Sequence, residues 1–494
     1  GAKHANKAQG PLKWLEDHLQ DGFAYDQFYQ PDAHGVDLPV SIHQGVRPLD
    51  LEKGSVGVIA YFVRELYSKW LMERELLLVS YDRGILVPVI KEHEQAGRTE
   101  KIWECAQVFD PLSEEPIPTS QYQPWLRSDS KAPRDGIAAN LAKVLADKMW
   151  SEDNGRDRTI AFYGVCSEPA EEESIETGIS AEALSVGGAG DCAEEEPLLR
   201  FRNGAAPGVQ RQRGPDIGEA ELPLVHFIVQ AKRYWGEDFG KWLVTSVDTD
   251  EWMIILLAMS TGKIKPQGPG AVEVTVQRIV VGVPRFLWVN RSFAKICELE
   301  AGIGSARPAA GFGGRTPDKN DKVRLFVLIY LLAGCDFLPV MSGLPFDKMW
   351  AFALKSVRAQ GVFKNPLFVK DNEVWVVDID EFFFKNETAF RRGERTAGMI
   401  LADIHDNVQD YVDVIRFVIV RLGGKRTTAT CPGFESLRLQ SERASAVMGY
   451  WQDGLKETMP KRNFKNHGWG VDPKAKGREA EELTGSNCVL WLSE

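Results

Sequence analysis

The chain has 494 residues, 44% of them hydrophobic, and its 59 basic and 70 acidic side chains give a net charge of −11 at pH 7. That length exceeds one average domain, and the apolar content suffices for a large core with additions. No apolar run approaches the roughly 18 residues of a membrane span, the first ten residues have no apolar centre like that of a secretory signal, and the seven cysteines never stand as C-x₂-C. A membrane protein, a zinc module and a disulfide framework are therefore all disfavoured, and a soluble enzyme of a reducing compartment, nuclear or cytoplasmic, is expected.

In chain order, residues 99–158 interleave basic and aromatic side chains: Lys101, Trp103, Trp125, Arg127, Lys131, Arg134, Lys143, Lys148 and Trp150. Aromatic faces can stack on unpaired bases while cations follow phosphates, although each tryptophan also suits the core of a helical insert. From Thr159 to Leu199 there is no Lys or Arg but there are ten acidic residues, and a Gly/Pro/Arg-rich stretch follows. Residues 159–217 are accordingly predicted to be a disordered loop. Without the ten acids the chain is almost neutral, so the net charge does not argue against a nucleic-acid partner.

The acidic residues that carry chemistry begin at GEAEL, residues 218–222. Glu219 and Glu221 would lie about 200° apart on an α-helix. Pro223 is tolerated in a first helical turn, so a helix carrying Leu224, Val225, Phe227 and Ile228 is predicted to begin near Glu221, with both glutamates at its positive end. His226 reads as a packed helix residue. Next, Trp242 to Val247 form an apolar stretch predicted to be a buried strand that leads into VDTDEW, residues 247–252. In extended chain Asp248 and Asp250 would point to one side, at the strand's C-terminal end, where open α/β sheets keep their ligand sites. Each pair could also be an ordinary solvated cap or turn.

Residues 259–322 hold two β-like runs, VEVTVQRIVVGV and RFLWVNRSF, and read as an insertion. The run VRLFVLIYLLA, residues 323–333, predicts a helix that Gly334 ends, with Asp336 just beyond in AGCDFLP. A carboxylate there faces the negative end of the helix dipole and calls for a compensating cation or hydrogen-bond donors. From residue 385 the chain reads as helical, and its tail carries Lys461, Arg462, Lys465, Lys474, Lys476 and Arg478, either a nucleic-acid contact or a solvated end.

Taken together, GEAEL, VDTDEW and AGCDFLP resemble the paired-glutamate, Asp-x-Asp and Gly-x-Asp motifs of the flap endonuclease and 5′→3′ exoribonuclease superfamily (XPG/FEN/XRN-like, PIN-like). Three N-terminal stretches extend the likeness over roughly residues 10–350. GPLKWLEDHL (10–19) is similar to the family's opening helix, VDLPVSIHQ (36–44) to its first strand, ending in Asp37, and LLLVSYDRG (76–84) to its second, ending in Asp82. The resemblance implies an α/β fold, a PIN-like 5′-nuclease core whose mainly parallel central sheet is flanked by helices, with a helical arch insert and a helical C-terminal region. The nuclease core would occupy residues 1–98, 218–258 and 323–384, the arch or lid 99–158, and the C-terminal helices 385–494.

By the same resemblance, Asp37, Asp82, Glu219, Glu221, Asp248, Asp250 and Asp336 would ligate metal, and Lys91 and Arg98 would sit over the scissile phosphate. The stretch KEHEQAGR around that basic pair equally suits a solvated helix face. Hard oxygen ligands suit two Mg²⁺ or Mn²⁺ ions, which in such sites stabilise the attacking and leaving oxygens of an in-line displacement. The implied activity is a metal-dependent structure-specific 5′ nuclease on single-stranded or flap DNA or RNA. The alternative is a nuclease-fold scaffold that binds RNA or protein without cutting.

Overall fold

The computed structural model describes residues 5–18, 23–25, 30–43, 46–65, 75–81, 113–126, 132–152, 158–167, 184–186, 198–203, 208–212, 214–215, 217, 219–236, 239–280, 283–299, 320–338, 346–347, 350, 368–371, 374–377, 434–460, 467 and 469. Its strands are β1 (Phe23–Tyr25), β2 (Ala33–Asp37), β3 (Leu76–Ser80), β4 (Arg158–Tyr163), β5 (Val165–Ser167), β6 (Leu184–Val186), β7 (Leu198–Asn203), β8 (Gly208–Gln212), β9 (Lys241–Thr245), β10 (Glu273–Val280), β11 (Val283–Trp288), β12 (Phe368–Asp371) and β13 (Val374–Val377). Nine of them form one sheet in the order β1-β11-β10-β9-β2-β3-β4-β7-β8. Its five central strands, β10 to β4, run parallel, and the outer pairs on both sides are antiparallel.

The parallel strands are covered on both faces, which is why β3 reads as an unbroken apolar run, Leu76 to Val79, instead of an alternation. On one face, the helices Glu221–Val229, Thr249–Ser260, Asp321–Ala333 and Phe434–Gly454 join residues such as Leu78, Trp242 and Val244 in the larger core. The Glu221–Val229 helix crosses β2 so closely that a Cβ on Gly35 would stand 3.2 Å from Leu224. On the other face, Val36, Leu77, Val79, Ile160 and Phe162 pack with the helices Gly54–Val63, Thr119–Leu126 and Ala132–Glu152. The architecture is thus α/β, a mixed sheet with a parallel centre flanked by helices. No described helix is long and apolar enough to cross a membrane.

The Ala132–Glu152 helix lies in the connection from β3 to β4, and Ile137, Ala138, Leu141, Ala142 and Leu145 give it an apolar face that the sheet buries. Trp125 is buried in that same core, the packing role that its sequence setting also suits. Within 159–217, expected to be disordered, β7 and β8 form an antiparallel hairpin on the edge at β4, with Phe201 opposite Ile160 and Val209 opposite Phe201. Residues 273–288, expected within an insertion, supply β10 and β11 of the main sheet, since Val274 and Val276 bury into the core beside β9.

The parallel centre also contains a topological switch point. By chain order β2 comes first, β3 and β4 are laid down on one side of it, and β9 and β10 on the other. The winding therefore reverses between β2 and β9. At such a reversal the flanking connections leave in opposite directions and open a cleft beyond the C-terminal strand ends, the usual ligand position in open α/β sheets.

Candidate metal centre

The segment leaving β9 at this reversal is held by its neighbours before any helix begins. The Ser246 amide donates to Gln277 O at 3.1 Å, the Arg278 guanidinium donates to Val247 O at 2.5 Å, and the Asp248 amide donates to Ser246 Oγ at 3.1 Å. Asp248, with φ −72° and ψ 138°, is the N-cap of the Thr249–Ser260 helix, and its Oδ1 accepts the Asp250 amide at 3.1 Å. Asp250 lies in the first helical turn and is buried. The two aspartates therefore converge through a capping turn and not through strand alternation as expected from their spacing, because β9 ends at Thr245 and an Asp-capped helix starts at once. Both carboxylates face the positive end of the helix dipole.

The third carboxylate comes from the Asp321–Ala333 helix, which begins two residues earlier than its apolar run predicts and ends where predicted, at Gly334 with φ 103°. That positive φ is one few residues other than glycine adopt. Beyond it the Cys335 amide donates to Leu338 O at 3.0 Å, tightening the loop that carries Asp336. One oxygen each from Asp248, Asp250 and Asp336 lies within 4.8 Å of the others. Asp250 is buried, while Asp248 and Asp336 are only half-buried, so the cluster opens toward solvent.

Two polar contacts fix this helix against Thr249–Ser260. At one end the Tyr330 hydroxyl donates to Asp250 Oδ1. At the other, Arg324 is buried in an ion pair with Asp321 and donates to Ser260 O at 2.6 Å, supplying a donor to the helix's carbonyl end. The helices therefore run antiparallel. Burial and the Asp250 charge push the Tyr330 phenol well above its ordinary pKa, so it stays protonated and serves as a donor.

The remaining sequence candidates divide into those at the same sheet edge and those beyond the described residues. Asp37 ends β2 and is buried; its Oδ2 accepts from Ser246 Oγ at 3.2 Å, so Ser246 links Asp37 to the Asp248 backbone. Glu219 and Glu221 are buried too, and Glu221 opens the Glu221–Val229 helix as predicted. They stand over the end of β3, where Ser80 Oγ donates to Ala220 O at 2.8 Å. Among the described residues, the group of three or more ligating atoms within 4.8 Å is Asp248, Asp250 and Asp336, and Asp37, Glu219 and Glu221 are not part of it. Asp82, Lys91 and Arg98 lie outside the described residues, as do all six basic residues of the tail.

His226 points elsewhere. It is wholly buried, its Nδ1 meets Gly454 O at 2.7 Å and its Nε2 meets the Tyr234 hydroxyl at 3.2 Å. Because a carbonyl can only accept, Nδ1 carries the proton and Nε2 accepts.

Sequence motifs do not single out Ser80, Tyr163, Ser246 or Tyr330. Ser246 stands two residues before Asp248 and Tyr330 six before Asp336; hydroxyl residues flanking acidic motifs were the available signal, but such residues are too common to be informative without coordinates. No protein-family model matches this chain, and no curated protein sequence matches it.

Proposed function

We propose that the chain is a metal-dependent nuclease of the PIN-like 5′-nuclease type, hydrolysing phosphodiester bonds of DNA or RNA. The single observation that supports this reading best is the convergence of Asp248, Asp250 and Asp336, from two separate helical elements, at the C-terminal side of the sheet where its winding reverses. A purely structural cap accounts for Asp248 alone. Three carboxylate oxygens gathered at one partly open point need positive charge or protons to offset their repulsion, and hard oxygen donors select Mg²⁺ or Mn²⁺ over softer metals.

Asp248, Asp250 and Asp336 would hold such a cation, with Glu219, Glu221 and Asp37 at the same edge as candidates for a second. When bound, ions of this kind lower the pKa of a water and offset negative charge developing on a leaving oxygen. The chain's own part is to hold the acids in place. The capping turn sets Asp248, the antiparallel helix pair sets Asp250 and Asp336 against each other, and Ser246 carries Asp37 into the same network. Asp248 and Asp336 are half-buried, so a phosphodiester would approach the group from their solvent side.

The test is incubation with Mg²⁺ or Mn²⁺ and 5′-labelled single-stranded, flap and duplex DNA and RNA, beside Asp250→Asn. Metal-dependent products from the wild type and none from the variant are expected. Binding without cleavage by the wild type in every metal would favour a non-cutting scaffold instead.

A further inference from the structure

We infer that Tyr330 is a positioning residue of the proposed metal centre: its hydroxyl orients the Asp250 carboxylate, and its helix carries Asp336 to the same point. The inference rests on the metal-centre reading above. A buried tyrosine hydroxyl needs an acceptor, and backbone carbonyls or solvent at a helix end usually provide one. Here the acceptor is Oδ1 of Asp250, one of the three clustered carboxylates. With that oxygen engaged, rotation of the Asp250 carboxylate plane is restrained, in the way that hydrogen-bonded neighbours of metal ligands set ligand orientation.

Tyr330 and Asp336 lie on either side of Gly334, in one continuous helix and loop. A shift of that helix along Thr249–Ser260 would move the orienting hydroxyl and the third carboxylate together. Arg324, bonded to Ser260 O at the opposite end of the pair, resists that shift. The helix thus acts as a single part that sets two of the three acids, and the hydroxyl is its contact with the one it does not itself carry.

Tyr330→Phe keeps the ring and removes only the hydroxyl. Mn²⁺ binding to the full-length protein, measured by titration calorimetry, should weaken about 10-fold. In cleavage assays the metal concentration for half-maximal activity should rise by a similar factor, while KM for the nucleic acid stays near wild type. A tyrosine that merely fills space would leave the metal affinity unmoved, so equal affinities for wild type and variant overturn the inference while leaving the nuclease reading standing. A wild type that binds no Mn²⁺ overturns both. Should the variant fail to fold, 3-fluorotyrosine placed at position 330 alone supplies the second measurement. Its fluorine resonance should shift on titration with Mg²⁺ and saturate with the binding isotherm, and a resonance indifferent to Mg²⁺ counts against the role.

Discussion

Ser80 and Tyr163 are paired across the C-terminal ends of β3 and β4, and both hydroxyls hold the segment that leads to the two glutamates. Ser80 donates to Ala220 O, while Tyr163 lies 2.5 Å from Pro215 O and 2.6 Å from Ile217 O. The described residues of that segment are thereby tied to the sheet edge by two hydroxyls, the one Tyr163 proton being shared between two carbonyls. Tyr163→Phe should lower stability by about 1–3 kcal/mol through the loss of the one donor these buried carbonyls share. It should also reduce cleavage while leaving the Asp248, Asp250 and Asp336 cluster in place. Urea unfolding combined with the nuclease assay checks both, and a variant as stable and as active as wild type would contradict the anchoring role.

Asp248 does two jobs, cap and candidate ligand, and two substitutions separate them. Asp248→Asn keeps a side-chain acceptor for the Asp250 amide and so should keep the capping contribution, whereas Asp248→Ala should lose about 1 kcal/mol of it. Both should lose cleavage by on the order of 10²-fold or more, since the charge is gone in each. Full activity in the asparagine variant would reduce Asp248 to a cap.

Without cation the three clustered carboxylates repel one another, so their removal should stabilise the metal-free protein. Asp336→Asn is expected to melt above wild type in chelator, with the order reversed in excess Mg²⁺. Saturation at ~100 times the dissociation constant would add about 2.7 kcal/mol to the wild type. Thermal melts with and without Mg²⁺ measure this directly; a wild type whose melting point ignores Mg²⁺ and Mn²⁺ alike would argue against a metal centre.

His226 predicts a pH dependence distant from the site. Burial, helped by Arg233 and partly opposed by the Gly454 carbonyl, pushes its pKa down to about 4. The folded state therefore prefers the neutral ring. Its contribution to stability is complete above the ordinary histidine pKa near 6.5 and is lost progressively as pH falls from there through 4, a total on the order of 3 kcal/mol. Unfolding titrations between pH 7 and 4 should show this slope, and His226→Phe should lack its share. An unchanged slope in the variant would place the effect on other groups. The local geometry has little slack, because a Cβ on Gly454 would stand 2.5 Å from Leu222.

Legibility in the sequence followed the range of the forces involved. The buried strands β3 and β9, the helix opening at Glu221 and the stop at Gly334 were all readable, since apolar runs, a first-turn proline and a helix-ending glycine act within a few residues. The capping turn at Asp248 differs from the extended strand that its spacing suggests, and the residues leading into it are held by Gln277 and Arg278, about thirty residues away in the chain. The β7–β8 hairpin was hidden for a related reason. Its pairing with β4 offsets the cost of ordering a polar, glycine-rich segment, and no local pattern reports a partner strand.

By itself the amino-acid sequence determined which acids could matter and their order, because side-chain chemistry and helix signals are local properties. Only the tertiary structure decided that Asp248, Asp250 and Asp336 meet within one ion's reach while Asp37, Glu219 and Glu221 stand apart from that group. It likewise assigned Ser80, Tyr163, Ser246 and Tyr330 to hold them. Those choices depend on sheet order and on the antiparallel packing of two helices, contacts between residues up to 209 positions apart in the chain, as with Ser246 and Asp37.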